Sequence, residues 1–140
     1  YTDVLHIPAG GSEMPITKKV LDGRLNFIRM EGQEVFKLAV NAMAKVCKDV
    51  IAEVGISVED IRWLVPHQAN MRIIYAVGTR IGIPDERVYV NVDKYGNTSA
   101  ASVGIALDEI VRKGLVKRGD YILLTAFGSG LTWGANLLRW

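Results

Sequence analysis

The chain has 140 residues, 49% of them hydrophobic and 23% charged, which suffices for one domain with a real core. A formal net charge of +2, carried by dispersed lysines and arginines, argues against a nucleic-acid partner. No apolar stretch reaches the roughly 20 residues that span a membrane, no signal peptide is visible, and a single cysteine leaves neither an internal disulfide nor a cysteine-based zinc cluster.

The chain opens on Tyr1 rather than Met, as a fragment or a processed piece would. Residues 1–23 read as a lead-in strand and a surface loop. The apolar run Val4-Leu5-His6-Ile7 is closed by Pro8-Ala9-Gly10-Gly11, a strand ending in a turn. Ser12 to Gly23 is polar and irregular. Arg24 to Met30 alternates enough to be a strand. From Gly32 to Val54 apolar residues recur at three and four, one face of a long helix that Gly55 stops. Cys47 lies deep in that helix, away from the helix N-termini where reactive thiols tend to sit. It reads as structural and fits a reducing cytoplasm.

Ser57-Val58-Glu59-Asp60 has the form of a capping box. Ile61 to Pro66 reads as a buried strand, Ala69 to Ile81 as a helix ended by Gly82 and Pro84, and Arg87 to Val92 as another strand. Thr98 to Arg112 reads as a second buried helix, small-residue-rich at its start. Asp120 to Phe127 and Leu131 to Trp140 read as strands joined by the tight loop Gly128-Ser129-Gly130, an antiparallel pair. Strands alternating with helices make a layered α/β domain.

Two segments carry the chemistry. Val65-Pro66-His67-Gln68-Ala69-Asn70 and Gly96-Asn97-Thr98-Ser99-Ala100-Ala101-Ser102 each place one hydrogen-bonding side chain where a strand or tight loop gives way to a helix. A neutral imidazole and a carboxamide can each donate to a single oxygen, which is what an enolate or tetrahedral oxyanion needs. His67 also reads as a helix cap or core histidine. Its place at a strand's carboxyl end, where ligands bind in open α/β sheets, favours function. The helix that follows would keep the imidazole neutral. Asn97 reads either as turn chemistry or as the cap of the helix from Thr98. The glycine loop at 128–130 reads either as a plain hairpin or as backbone N–H groups open to a ligand. His6 pairs with no motif. Lys37, Arg72 and Arg80 form a candidate basic surface, the latter two eight apart on one helix face. No metal-binding spacing is present.

These residues, with Ala126-Phe127-Gly128-Ser129-Gly130-Leu131-Thr132-Trp133-Gly134, resemble β-ketoacyl-acyl-carrier-protein synthase III, the initiating condensing enzyme of type II fatty-acid synthesis. The resemblance runs from about Arg24 to Trp140. It implies the thiolase fold, with residues 1–140 as its C-terminal half, a mixed sheet between helices. It implies a Cys-His-Asn triad in which His67 and Asn97 are the second and third members and the Cys lies on an N-terminal half. Cys47 does not occupy the family's motif. The substrates implied are an acyl-CoA and malonyl-acyl-carrier protein, with no permanently bound cofactor and no metal. The partners implied are the Cys-bearing half, acyl-carrier protein and a second copy of the complete enzyme, in the cytoplasm.

The resemblance also assigns roles to other residues. Gly128, Ser129 and Gly130 match the oxyanion loop, with Ser129 replacing a glycine. Phe127 matches the pocket wall. Phe36 and Asn70 match positions near the coenzyme A arm, and Gln33 stands where relatives often carry Asn. Arg72 matches a residue that docks the carrier protein, with Lys37 and Arg80 beside it in the same basic surface. A synthase priming polyketide or quinolone synthesis, and a non-catalytic carrier-binding half, are the rival readings.

Overall fold

The structure, a computed structural model, describes residues 3–140; Tyr1 and Thr2, the first residues of the expected lead-in strand, lie outside them. Among the described residues the elements run β1 (Leu5–His6), α1 (Lys18–Asp22), β2 (Arg29–Met30), α2 (Gly32–Val54), β3 (Ile61–Pro66), α3 (Met71–Ile81), α4 (Val92–Tyr95), α5 (Ala101–Arg112), β4 (Tyr121–Gly128) and β5 (Thr132–Arg139). β1 and β2 form a small antiparallel ribbon. The main sheet has the order β3-β4-β5, with β3 parallel to β4 and β4 antiparallel to β5.

Alternation along the central strands decides which helix covers which face. Leu64 and Leu123 point into a core built by α2 and α3, with Met43, Cys47, Ile74 and Val77 all buried. Their neighbours Val65 and Ile122 point the other way, against Ala106 and Ile110 of α5. A strand buried on both faces loses its period of two and becomes a continuous apolar run. Each fully buried Ile or Leu contributes about 1.5–3 kcal/mol. The result is a three-layer α/β fold with a mixed sheet between helices.

Local chemistry sets the element ends. The α2 boundaries agree with the periodicity, and Gly55 closes it in the left-handed region at φ 74°. Asn70 caps α3, its Oδ1 accepting from the Ile73 N–H at 3.0 Å. Ser57 and Asp60 form the expected capping box, Asp60 accepting from the Ser57 N–H at 2.9 Å. Gly78 lets α3 lie directly on the segment that follows it, since a Cβ there would fall 2.7 Å from Val88 Cγ2.

Four expectations need correction. The loop expected over 12–23 contains the short helix α1, capped by Thr17; a helix of one to two turns is too short for periodicity to register. The strand expected over 24–30 is reduced to Arg29–Met30, because Arg24 sits at φ 53°. The strand expected over 87–92 is not formed. Asp85–Arg87 is a 3₁₀ turn, a single parallel bridge joins Val88 to Leu64, and α4 follows. The reason is Gln68, whose Oε1 accepts from the N–H groups of Asn91 and Val92 at 2.8 and 3.1 Å, donors a ladder would need. Finally, α5 begins at Ala101 rather than Thr98. Among the described residues no helix is long and apolar enough to cross a membrane.

Candidate active site

β3 ends at Pro66, and His67 extends its path by one more ladder bond, its N–H donating to Thr125 O at 2.7 Å. The ring therefore leaves the sheet at the carboxyl end of two parallel strands. Its Nδ1 lies 2.6 Å from Ser102 Oγ on α5. Among the described residues Nε2 has no protein partner. Burial holds the imidazole below its ordinary pKa. Desolvation favours the neutral form, the form expected from the sequence.

Asn97 lies in the segment between α4 and α5. Its Oδ1 accepts from the Ser99 N–H at 2.9 Å, a turn closed by the side chain itself. This is the turn chemistry that the Gly-Asn pair announced, and it displaces the alternative of a cap for a helix starting at Thr98.

Gln68 ties these two positions together. Its Nε2 donates to Pro66 O and Tyr89 O at 2.9 and 3.2 Å, and its Oε1 takes the two N–H groups of Asn91 and Val92. All four hydrogen-bonding positions of the carboxamide are used at a residue 1% exposed. The strand end bearing His67 is thereby fastened to the segment that leads to Asn97.

His67, Asn97, Phe127, Gly128 and Ser129 line one cavity of about 690 Å³. Phe127 pairs across the β4–β5 hairpin with Trp133, their rings stacked at 6.4 Å. Gly130 does not line the cavity. Leu5, His6, Ile7 and Ile28 line the same cavity. His6 is a cavity-lining residue that the sequence did not single out. Its Nδ1 is buried without a hydrogen-bond partner among the described residues. Nothing in the sequence signals it, because only the return of β1 against the far end of the chain brings it there.

The family profile described as "3-Oxoacyl-[acyl-carrier-protein (ACP)] synthase III C terminal" matches residues 51–140. The chain is 54% identical to the Beta-ketoacyl-[acyl-carrier-protein] synthase III of Caldanaerobacter subterraneus, over 97% of this chain and 41% of that protein. The chain belongs to the synthase III family. It matches the crystal structure of 3-oxoacyl-[acyl-carrier-protein] synthase III from Aquifex aeolicus with a TM-score of 0.85 at 47% identity, covering 99% of this chain and 40% of that one. The enzyme from Pseudomonas aeruginosa gives 0.85 at 40% identity, with the same coverage. This synthase III chain thus spans about two-fifths of the relatives it matches, and its α/β layers are those of the thiolase-like fold.

The remaining residues that the resemblance singled out lie outside the cavity. In this synthase III chain Asn70 is engaged in capping α3, Gln33 is exposed near the start of α2, and Phe36 carries the Arg72 guanidinium over its ring at 5.5 Å. Lys37 pairs with Glu34 at 2.8 Å on the surface. Arg80 is exposed in the last turn of α3, about 12 Å along the axis from Arg72 at 1.5 Å per residue. Arg72 and Phe36 are brought together; Arg80 is not. Cys47 is fully buried, and burial pushes its thiol up to about 11, Thr125 offsetting part of the effect. Such a thiol is inert.

Proposed function

We propose that this chain supplies the enolate-holding His67–Asn97 pair of a decarboxylative condensing acyltransferase. The complete enzyme joins an acyl-CoA primer to malonyl-acyl-carrier protein and yields a 3-oxoacyl-acyl-carrier protein. The observation that carries this reading is the placing of two side-chain donors, His67 and Asn97, on one cavity beside Phe127 and the Gly128-Ser129 turn.

The nucleophile is a Cys thiolate on an N-terminal half. It attacks the acyl-CoA thioester, the carbon–sulfur bond to coenzyme A breaks, and coenzyme A leaves as a thiolate that takes a proton from solvent. Malonyl-acyl-carrier protein then binds. Its carboxylate leaves as CO2, and the electron pair of the broken C–C bond moves onto the thioester oxygen. His67 Nε2–H and Asn97 Nδ2–H hydrogen-bond that oxygen as its charge grows. The enolate carbon attacks the acyl-Cys carbonyl. Backbone N–H groups at the Cys and in the 128–130 loop hold the oxyanion until it collapses and expels the thiolate. Phe127 walls the pocket. Gln33, Phe36 and Asn70 lie toward the coenzyme A arm. Lys37, Arg72 and Arg80 present cations to an acidic carrier protein, which steers encounter. The enzyme works as a dimer without a permanently bound cofactor.

The first half-reaction gives a direct test. This chain is combined with the Cys-bearing half of a relative, incubated with acetyl-CoA and weighed by intact-mass spectrometry. One acetyl group is expected on the Cys of the half and none on Cys47. Acetylation of Cys47, or labelling of the half that is indifferent to this chain, contradicts the proposal.

A further inference from the structure

The role proposed for His67 requires the ring proton to be on Nε2, the ring nitrogen not engaged by Ser102. An isolated imidazole exchanges its proton between the two nitrogens, so something must choose. We infer that Ser102 is the positioning residue that makes this choice, donating its hydroxyl proton to His67 Nδ1 and so holding the ring as the Nε2–H tautomer.

The argument is a count of protons. Ser102 is 1% exposed. Its Oγ has two neighbours among the described residues: His67 Nδ1 at 2.6 Å and the Gln68 backbone nitrogen at 3.2 Å. The Gln68 N–H can only donate, so it occupies an oxygen lone pair. A hydroxyl has one proton to give and two lone pairs to receive. Were Nδ1 also to donate, Ser102 Oγ would accept twice and its own proton would be buried with no acceptor, an arrangement native interiors avoid. With Nδ1 as acceptor every group is satisfied. The Gln68 N–H, the Ser102 hydroxyl and the imidazole then form one directed chain whose last donor is Nε2–H, on a ring that lines the cavity with Asn97. Such a chain polarises each bond in turn. The same backbone N–H belongs to the residue whose side chain anchors the Asn97 segment, so one residue fixes both donors.

The tautomer claim stands on geometry; its catalytic consequence rests on the proposed role of His67. Ring-nitrogen NMR on the ¹⁵N-histidine-labelled chain, above the pH at which His67 titrates, separates the two. The wild type is expected to show a protonated Nε2 and a bare Nδ1. Ser102→Ala is expected to bring in the Nδ1–H form, and Ser102→Thr, which keeps the hydroxyl, to suppress it again. A wild-type ring protonated on Nδ1 overturns the inference, and that reading needs no variant to fold. A Ser102→Ala ring held as firmly on Nε2 as the wild type overturns it too. In the enzyme reconstituted with its Cys-bearing half, Ser102→Ala should lower kcat for CO2 release and leave KM for malonyl-carrier protein unchanged, with recovery in Ser102→Thr. If the tautomer follows Ser102 while CO2 release ignores His67, the proposed function fails and the inference stands. If CO2 release needs His67 while the tautomer ignores Ser102, the inference fails alone.

Discussion

Gln68 has the clearest consequence at the scale of single residues. Truncation to Ala would leave two N–H groups, one buried and one partly buried, and two carbonyls without partners, at about 1–3 kcal/mol for each buried unsatisfied group. Relaxation shares that cost, so Gln68→Ala should destabilise the chain by about 3 kcal/mol or more, read as a lower urea midpoint with an unchanged slope. A loss under about 1 kcal/mol would mean that the four bonds are not the tie described here. The sequence showed His67 and Asn97 because each stands at a junction of elements within a recognisable run. It hid Ser102, which reads as one more small residue on a helix. The contact that matters spans 35 positions, and no local pattern encodes it. His6 was hidden for the same reason.

Among the elements, α2 and β3 agreed with expectation residue for residue, since a long stripe and a mostly apolar run broken only by Arg62 are signals that tertiary context only reinforces. The segment 87–92 did not. Its residues favour a strand, and a buried glutamine from elsewhere in the chain takes its backbone donors instead. The same segment is clamped to α5 by Glu109, whose carboxylate accepts from Asn91 Nδ2 at 2.9 Å and from Lys94 at 3.0 Å, with Lys113 at 3.1 Å. Asn91 first, then Lys94, hold that carboxylate down from the ordinary 4.5 to about 2. The sign follows from proton binding. Between these values the unfolded chain binds more protons than the folded one, so the contribution of Glu109 is complete above about pH 4.5 and is lost as the pH falls toward 2. The difference in urea midpoint between wild type and Glu109→Gln should therefore shrink steadily from pH 5 to pH 3 and vanish only below the folded value near 2. A difference independent of pH would show that the clamp is not electrostatic.

For the whole molecule, membership of the synthase III family and the layered α/β fold were legible from three motifs in the right order. The composition of the cavity was not. Part of its wall, Leu5, His6, Ile7 and Ile28, comes from residues 5–28, a region without periodicity whose position depends on a two-residue ribbon. Large apolar side chains there remain uncovered, Ile28 at 69% and Ile7 at 55% exposure, in a chain that spans 41% of its relative. A cavity so open is the setting in which a second half would exclude water and strengthen the two donors. The most direct test of that account is CO2 release from malonyl-acyl-carrier protein by the reconstituted enzyme. His67→Ala and Asn97→Ala are each expected to lower the rate by ~10²–10³ while acyl transfer to the Cys proceeds. Release at the wild-type rate in either variant would contradict it.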